Sequence, residues 1–290
     1  MQFGHARRYA EELSHERTCA SQIFPALAQA YKNDQRLNTT ALIRSGKHLD
    51  NWAEEALSLL EYSISSCDDV LARELCEAIS ELESFADGTK QALLVALEVF
   101  DSCITIDGIG EALDKVRITQ GDIPFVFHLL KSKYDVYPFS NVTLELLGQL
   151  LPQHAEEIVP QLISCFSLAG SHFKLVKTLE DIELPADCHN ALRAELMTAL
   201  EIEDSEMRDK RIYYIADLVS HHPKAAEYLR DDLFTCLVQG TASYYAANAL
   251  LTVDRFTVRQ KRALKRLVRS SDDSYNVRRV LEHAQGKSCS

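Results

Sequence analysis

Three short stretches in the last third of this 290-residue chain set tyrosine beside arginine at helical spacing. The first holds Arg208, Arg211, Tyr213 and Tyr214, the second Tyr244, Tyr245 and Asn248, and the third Tyr275, Arg278 and Arg279. Both residue types bury much area while keeping a hydrogen-bonding tip, which is why they dominate protein-protein hot spots. The chemistry they suit is noncovalent recognition. Arg208, Arg211, Tyr214, Tyr244, Tyr245, Asn248, Tyr275, Arg278 and Arg279 form the candidate partner-binding set, with one ring of each Tyr-Tyr pair expected in the core and the other at the rim. A second series, in residues 68–83, is acidic: Asp68, Asp69, Glu74, Glu77, Glu81 and Glu83. Of these, Asp69, Glu74, Glu77 and Glu81 make the candidate acidic face.

Signatures of covalent or phosphoryl chemistry are missing. The chain has no Gly-x-Ser-x-Gly, no His-Glu-x-x-His and no Gly-x-x-x-x-Gly-Lys-[Ser/Thr]. Gly286-Lys287-Ser288 lacks the upstream glycine, and Gly108-Ile109-Gly110 lacks the third glycine and a preceding strand. His221, His222, Cys236, Cys188 and His189 hint at metal ligation. Structural zinc wants four ligands at tight spacing, usually with paired cysteines, and none of the eight cysteines lies in a Cys-x-x-Cys pair. No metal and no cofactor is expected, and the chain reads as a binding protein rather than an enzyme.

Charge is unevenly spread. Residues 255–290 hold ten Lys/Arg against three Asp/Glu, a local +7, so the net −12 leaves −19 on residues 1–254. An acidic body argues against tracking a nucleic-acid backbone over a broad face and favours a protein partner with a basic surface. Residues 255–269 carry seven cations and no acid. With Phe256, Leu264, Leu267 and Val268 along one side, this is an amphipathic helix with a cationic face, suited to an acidic groove, phosphates or anionic lipid, or simply to solvent. The first 13 residues lack an apolar signal segment, and the most apolar run, 92–100, is short and broken by Glu98. No membrane span is expected, and the location is expected to be cytoplasmic.

The elements that must position these residues come in pairs. Helix-opening and helix-stopping signals place first helices near Trp52, Thr89, Asp122, Ala155, Asp187, Lys224 and Thr257, and second helices near Asp69, Asp107, Ser140, Ser171, Glu206, Thr241 and Ser274. The intervals run from 31 to 38 residues, the period of an α-solenoid. Strand signals are nearly absent, and ten Gly and seven Pro are few enough for mostly helical structure. Residues 1–50, with a helix expected over 3–19 and a cap at Asn38, are the least regular part and read as an N-terminal helical cap; residues 51–290 read as one continuous solenoid domain. Pro152 is expected to stop one helix, and Pro160 to kink or open the next.

Two stretches carry a resemblance. Residues 241–251, Thr-Ala-Ser-Tyr-Tyr-Ala-Ala-Asn-Ala-Leu-Leu, and 272–281, Asp-Asp-Ser-Tyr-Asn-Val-Arg-Arg-Val-Leu, look like second helices of HEAT-like (armadillo-type) repeats: a small or acidic opener, a Val-Arg-type pair, then Ala and Leu at helical spacing. The resemblance implies an all-α, right-handed α-solenoid of about seven antiparallel two-helix repeats, with the second helices lining a concave side. It implies no activity. The function expected is that of a non-enzymatic scaffold binding a protein on its concave face, of which an inhibitor or immunity-type protein neutralising a basic toxin or nuclease is one form. The alternative is a nucleic-acid or phosphate binder using the C-terminal Arg/Tyr face.

Overall fold

The computed structural model describes residues 20–33, 39–168, 172–270 and 274–286. The expected helix over 3–19, the cap at Asn38, and the openers Ser171 and Asp272 lie outside the described residues. Within the described residues there is no strand, and sixteen α-helices follow one another: α1 (Ala20–Asn33), α2 (Thr39–Gly46), α3 (Trp52–Ser66), α4 (Asp69–Ser80), α5 (Thr89–Val99), α6 (Cys103–Val116), α7 (Ile123–Ser132), α8 (Phe139–Ser164), α9 (Phe173–Leu179), α10 (Cys188–Leu200), α11 (Ser205–Ser220), α12 (Pro223–Tyr228), α13 (Arg230–Gln239), α14 (Ser243–Leu250), α15 (Val258–Ser270) and α16 (Ser274–Ala284). The chain divides into two compact units, residues 1–146 and 147–290.

Several openings fall where the local signals put them: Trp52 and Thr89 open α3 and α5, and Pro124 sits in the first turn of α7, where a missing N–H costs nothing. Other boundaries moved. Cys103 rather than Asp107 opens α6, which carries Gly108 and Gly110 inside it. Gly110 is there for packing: a Cβ at this position would lie 2.9 Å from a Val142 methyl. Two helical stretches make up α8 and meet at a kink at His154 (φ −132°), two residues after Pro152 and just before the expected opening at Ala155, whereas Pro160 lies inside helical geometry.

In the first unit, α2 packs on α4 and α4 on α6, while α3 packs on α5; the adjacent pairs α3–α4 and α5–α6 also touch. In the second unit, α9 packs on α11, α11 on α14 and α14 on α16, with α10 on α13 alongside. These helices thus meet one another both as sequence neighbours and in alternate order, and the apolar stripes Leu71, Leu75, Ile79 of α4 and Ile212, Ile215, Val219 of α11 are fully buried. Side-chain hydrogen bonds repeat the same spacing. Tyr31–Asp68, Thr40–Glu74, Lys90–Asp122, Lys133–Asp101, Arg193–Asp232 and Arg279–Asn248 join residues 31 to 39 apart.

Asp68 shows how one residue serves two elements. Its Oδ1 accepts from the Leu71 N–H at 3.1 Å and caps α4, while Oδ2 accepts from the Tyr31 hydroxyl at 2.7 Å and ties α1 to that cap. Burial, then the bond to Asp68, push the Tyr31 phenol well above its ordinary range. Asp68→Ala removes both bonds and is expected to cost about 1–2 kcal/mol. Urea unfolding of the full chain checks this: the midpoint should fall, and Asp68→Asn, which keeps an acceptor for the Leu71 N–H, should recover part of the loss.

Candidate functional site

The Tyr/Arg stretches occupy α11, α14 and α16, three helices packed in that order in the second unit. Asp204 caps α11, accepting from the Glu206 and Met207 N–H groups at 2.9 and 3.1 Å, so the helix starts where the acidic opener demands. On α14 the side chains of Tyr244 and Asn248 are four residues apart and share a face; on α16, Tyr275 and Arg279 do the same.

Across the helices these side chains meet. The Tyr213 and Tyr245 rings stack obliquely, centroids 4.0 Å apart at 49°, and Tyr244 stands edge-on to Tyr245 at 5.0 Å. The Arg279 guanidinium lies 5.9 Å from the Tyr244 centroid and 5.8 Å from that of Tyr275, and donates to Asn248 Oδ1 at 3.1 Å. Each aromatic pair contributes about 0.5–1.5 kcal/mol beyond its buried area, and each exposed cation–π contact about 0.5–1 kcal/mol. The cluster is therefore held by its own contacts, yet Tyr244 and Tyr275 remain 50% and 69% exposed. Burial, followed by the neighbouring Tyr245 and Asp217, raises the Tyr213 pKa, so this phenol keeps its proton.

Of the expected set, Tyr244, Tyr245, Asn248, Tyr275 and Arg279 come together. Arg278 is exposed on the same helix as Arg279. Tyr214 is buried and packs edge-on against His172, which in turn meets Phe166. The face is completed by Tyr213 instead, because adjacent helical residues point about 100° apart and the core claims the second of the two. Arg211 pairs with Glu195 of α10, and Arg208 lies 3.6 Å from Asp209. Arg211 also lines a separate cavity of about 320 Å³ with Ser167, His172, Asp204, Met207 and Lys210.

His172 is a site residue that sequence reading missed. Burial first, then the positive charges of Arg211 and Lys210, hold its pKa down to about 4, against a hydrogen bond with the Leu168 backbone that pulls it up. The ring is neutral at physiological pH. The only signal in the sequence was a histidine beside an apolar run, which does not reveal a buried partner.

The acidic series lies on α4. Glu74 accepts from Thr40 at 3.2 Å, Glu81 pairs with Lys47, Glu77 is exposed and Asp69 sits in the first turn. Two of the four carboxylates are thus engaged within the unit. Among the histidines and cysteines, His222 Nε2 bonds the Leu179 carbonyl at 3.0 Å and burial lowers its pKa, so it donates as a neutral ring. Burial pushes the Cys76 and Cys236 thiols up to about 12. Among the described residues no three His, Cys, Asp or Glu side chains converge as a metal site, and no helix is long and apolar enough to cross a membrane. No protein-family model and no curated protein matches this chain.

Proposed function

We propose that this chain is a non-enzymatic scaffold of HEAT-like helix pairs that binds another protein through the Tyr/Arg face of α11, α14 and α16. The observation that carries this reading is the pre-ordered row Tyr213, Tyr245, Tyr244, Arg279 and Tyr275, drawn from three successive helices and still half exposed. Rigid aromatic side chains lose little freedom on binding, so more of their contact energy appears as affinity. The repeat reading is supported by the alternate packing of helices within each unit and by the side-chain bonds recurring at the repeat period. Pairs of this kind, each packed on its neighbours, are the unit of a HEAT-like α-solenoid.

The partner's charge follows from −19 on residues 1–254. A basic protein is attracted to such a body, and its Lys or Arg side chains can lie on the outer faces of Tyr244 and Tyr275. An inhibitor or immunity-type protein neutralising a basic toxin or nuclease has this chemistry. Six cysteine thiols among the described residues fit a reducing, cytoplasmic setting.

The test compares wild type with Tyr244→Ala/Tyr275→Ala as bait for proteins of the source cell. Both positions are exposed, so circular dichroism should be unchanged. A basic protein retained by wild type should be weakened at least about tenfold by the double variant. Equal retention by both baits, or no specific capture by folded wild type at low salt, would sink the reading.

A further inference from the structure

We infer that α15 is a second binding surface, separate from the tyrosine row, and that it takes the phosphate backbone of a nucleic acid. One side of this helix is used up inside the unit. Leu264 is fully buried, α15 packs on α16, and the buried Gln260 donates to Asp231 at 2.7 Å. The opposite side is cationic. Arg259, Arg262 and Arg266 fall at i, i+3 and i+7 and, with Val258 and Ala263, line an open groove of about 480 Å³.

Three described carboxylates of α12 and α13 are already engaged. Asp231 is held by Gln260 and Arg230, Asp232 by Arg193 and Glu227 by Arg230. Among the described residues no carboxylate pairs with Arg259, Lys261, Arg262 or Lys265, although the body of the chain is strongly acidic. Arg259, Lys261, Arg262 and Lys265 stand side by side on one helix and repel each other, and an anionic ligand relieves that repulsion.

The geometry favours phosphates over carboxylates and lipid. The groove is lined by arginine, whose planar fork grips phosphate oxygens bidentately, while Lys261 and Lys265 on the same helix add point charge. Arg259 to Arg266 spans about 10 Å of helix axis, and their three long side chains can each reach a separate phosphate. Insertion into a bilayer needs a free apolar face, and Leu264 on that face is already packed inside the unit. No side chain here is placed to read base edges, so binding is indifferent to sequence.

Fluorescence anisotropy with a short labelled DNA duplex and a labelled single strand tests this on the full chain. With about three phosphates neutralised, affinity should fall about 40-fold for the duplex and about 20-fold for the single strand between about 50 and about 200 mM salt. Arg259→Gln/Arg262→Gln/Arg266→Gln should weaken binding about tenfold or more and flatten the salt dependence. The triple Lys variant should keep the salt dependence with weaker binding. Tyr244→Ala/Tyr275→Ala should leave both unchanged, which separates this surface from the protein-binding face. The inference is overturned by no binding at low salt or by binding indifferent to the triple Gln change. It is equally overturned if poly-glutamate at equal charge competes as well as DNA, or if phosphatidylserine vesicles bind more tightly than DNA.

Discussion

Gly46→Ala is expected to destabilise the first unit by about 3 kcal/mol, far more than an alanine at a helix end ordinarily costs. Gly46 closes α2 and is buried against Trp52, the first residue of α3. A Cβ on Gly46 would lie 2.1 Å from Trp52 Cζ3 and 2.4 Å from Cε3, inside any allowed contact. Trp52 cannot give way cheaply, because its ring is buried and stands edge-on to Phe24 at 5.9 Å. Its Nε1 has no hydrogen-bond partner among the described residues, so packing alone holds it. Alanine therefore expels or tilts the indole and forfeits most of its burial. Urea unfolding gives the loss, and a double-mutant cycle locates it. Combining Gly46→Ala with Trp52→Leu should cost less than the sum of the single changes by at least about 1 kcal/mol. Strict additivity would show that the clash is relieved by some other movement.

Acidification should unfold the second unit through His172. An unfolded histidine has a pKa of about 6.5, while in the fold His172 is held to about 4 by burial, Arg211 and Lys210. Between these values the unfolded chain binds a proton that the folded chain refuses. The stability this residue allows is thus complete above about pH 6.5 and is lost as pH falls to about 4, a total of about 3 kcal/mol. His222, also lowered by burial, adds a loss of the same sign, whereas Asp217, raised by burial, acts in the opposite sense over the carboxylate range. Comparing wild type with His172→Phe at each pH cancels both. The phenyl ring can take the place between Phe166 and Tyr214, and the variant should lose less stability than wild type between about pH 7 and about pH 4. Parallel curves for the two proteins would show that His172 is protonated without penalty.

Much of the candidate face was legible because it rests on local rules. Tyr244 and Asn248, or Tyr275 and Arg279, share a side of any helix that contains them, so their spacing alone grouped them. Tyr213 and Tyr214 were not resolved in the same way. Either could have been the core residue, and only the position of His172 and Phe166 behind α11 decided that Tyr214 turns inward. Arg211 likewise looked like a partner-binding cation until Glu195, sixteen residues earlier on α10, was found to hold it.

By itself the sequence determined the helical class and most of the helix starts. Apolar periodicity, caps and prolines act over a few residues and leave their record in the chain. It also determined the separation of an acidic body from a cationic last segment, which is composition alone. Tertiary structure decided what depends on distant neighbours: that Gly46 must stay bare beneath Trp52, that His172 is neutral, that Glu81 is tied to Lys47, and that Arg279 lies between two tyrosines while the α15 arginines face an open groove. The physical reason is range. Helix formation reads contacts three and four residues apart, whereas burial, ion pairing and ring stacking depend on residues brought together from distant parts of the chain.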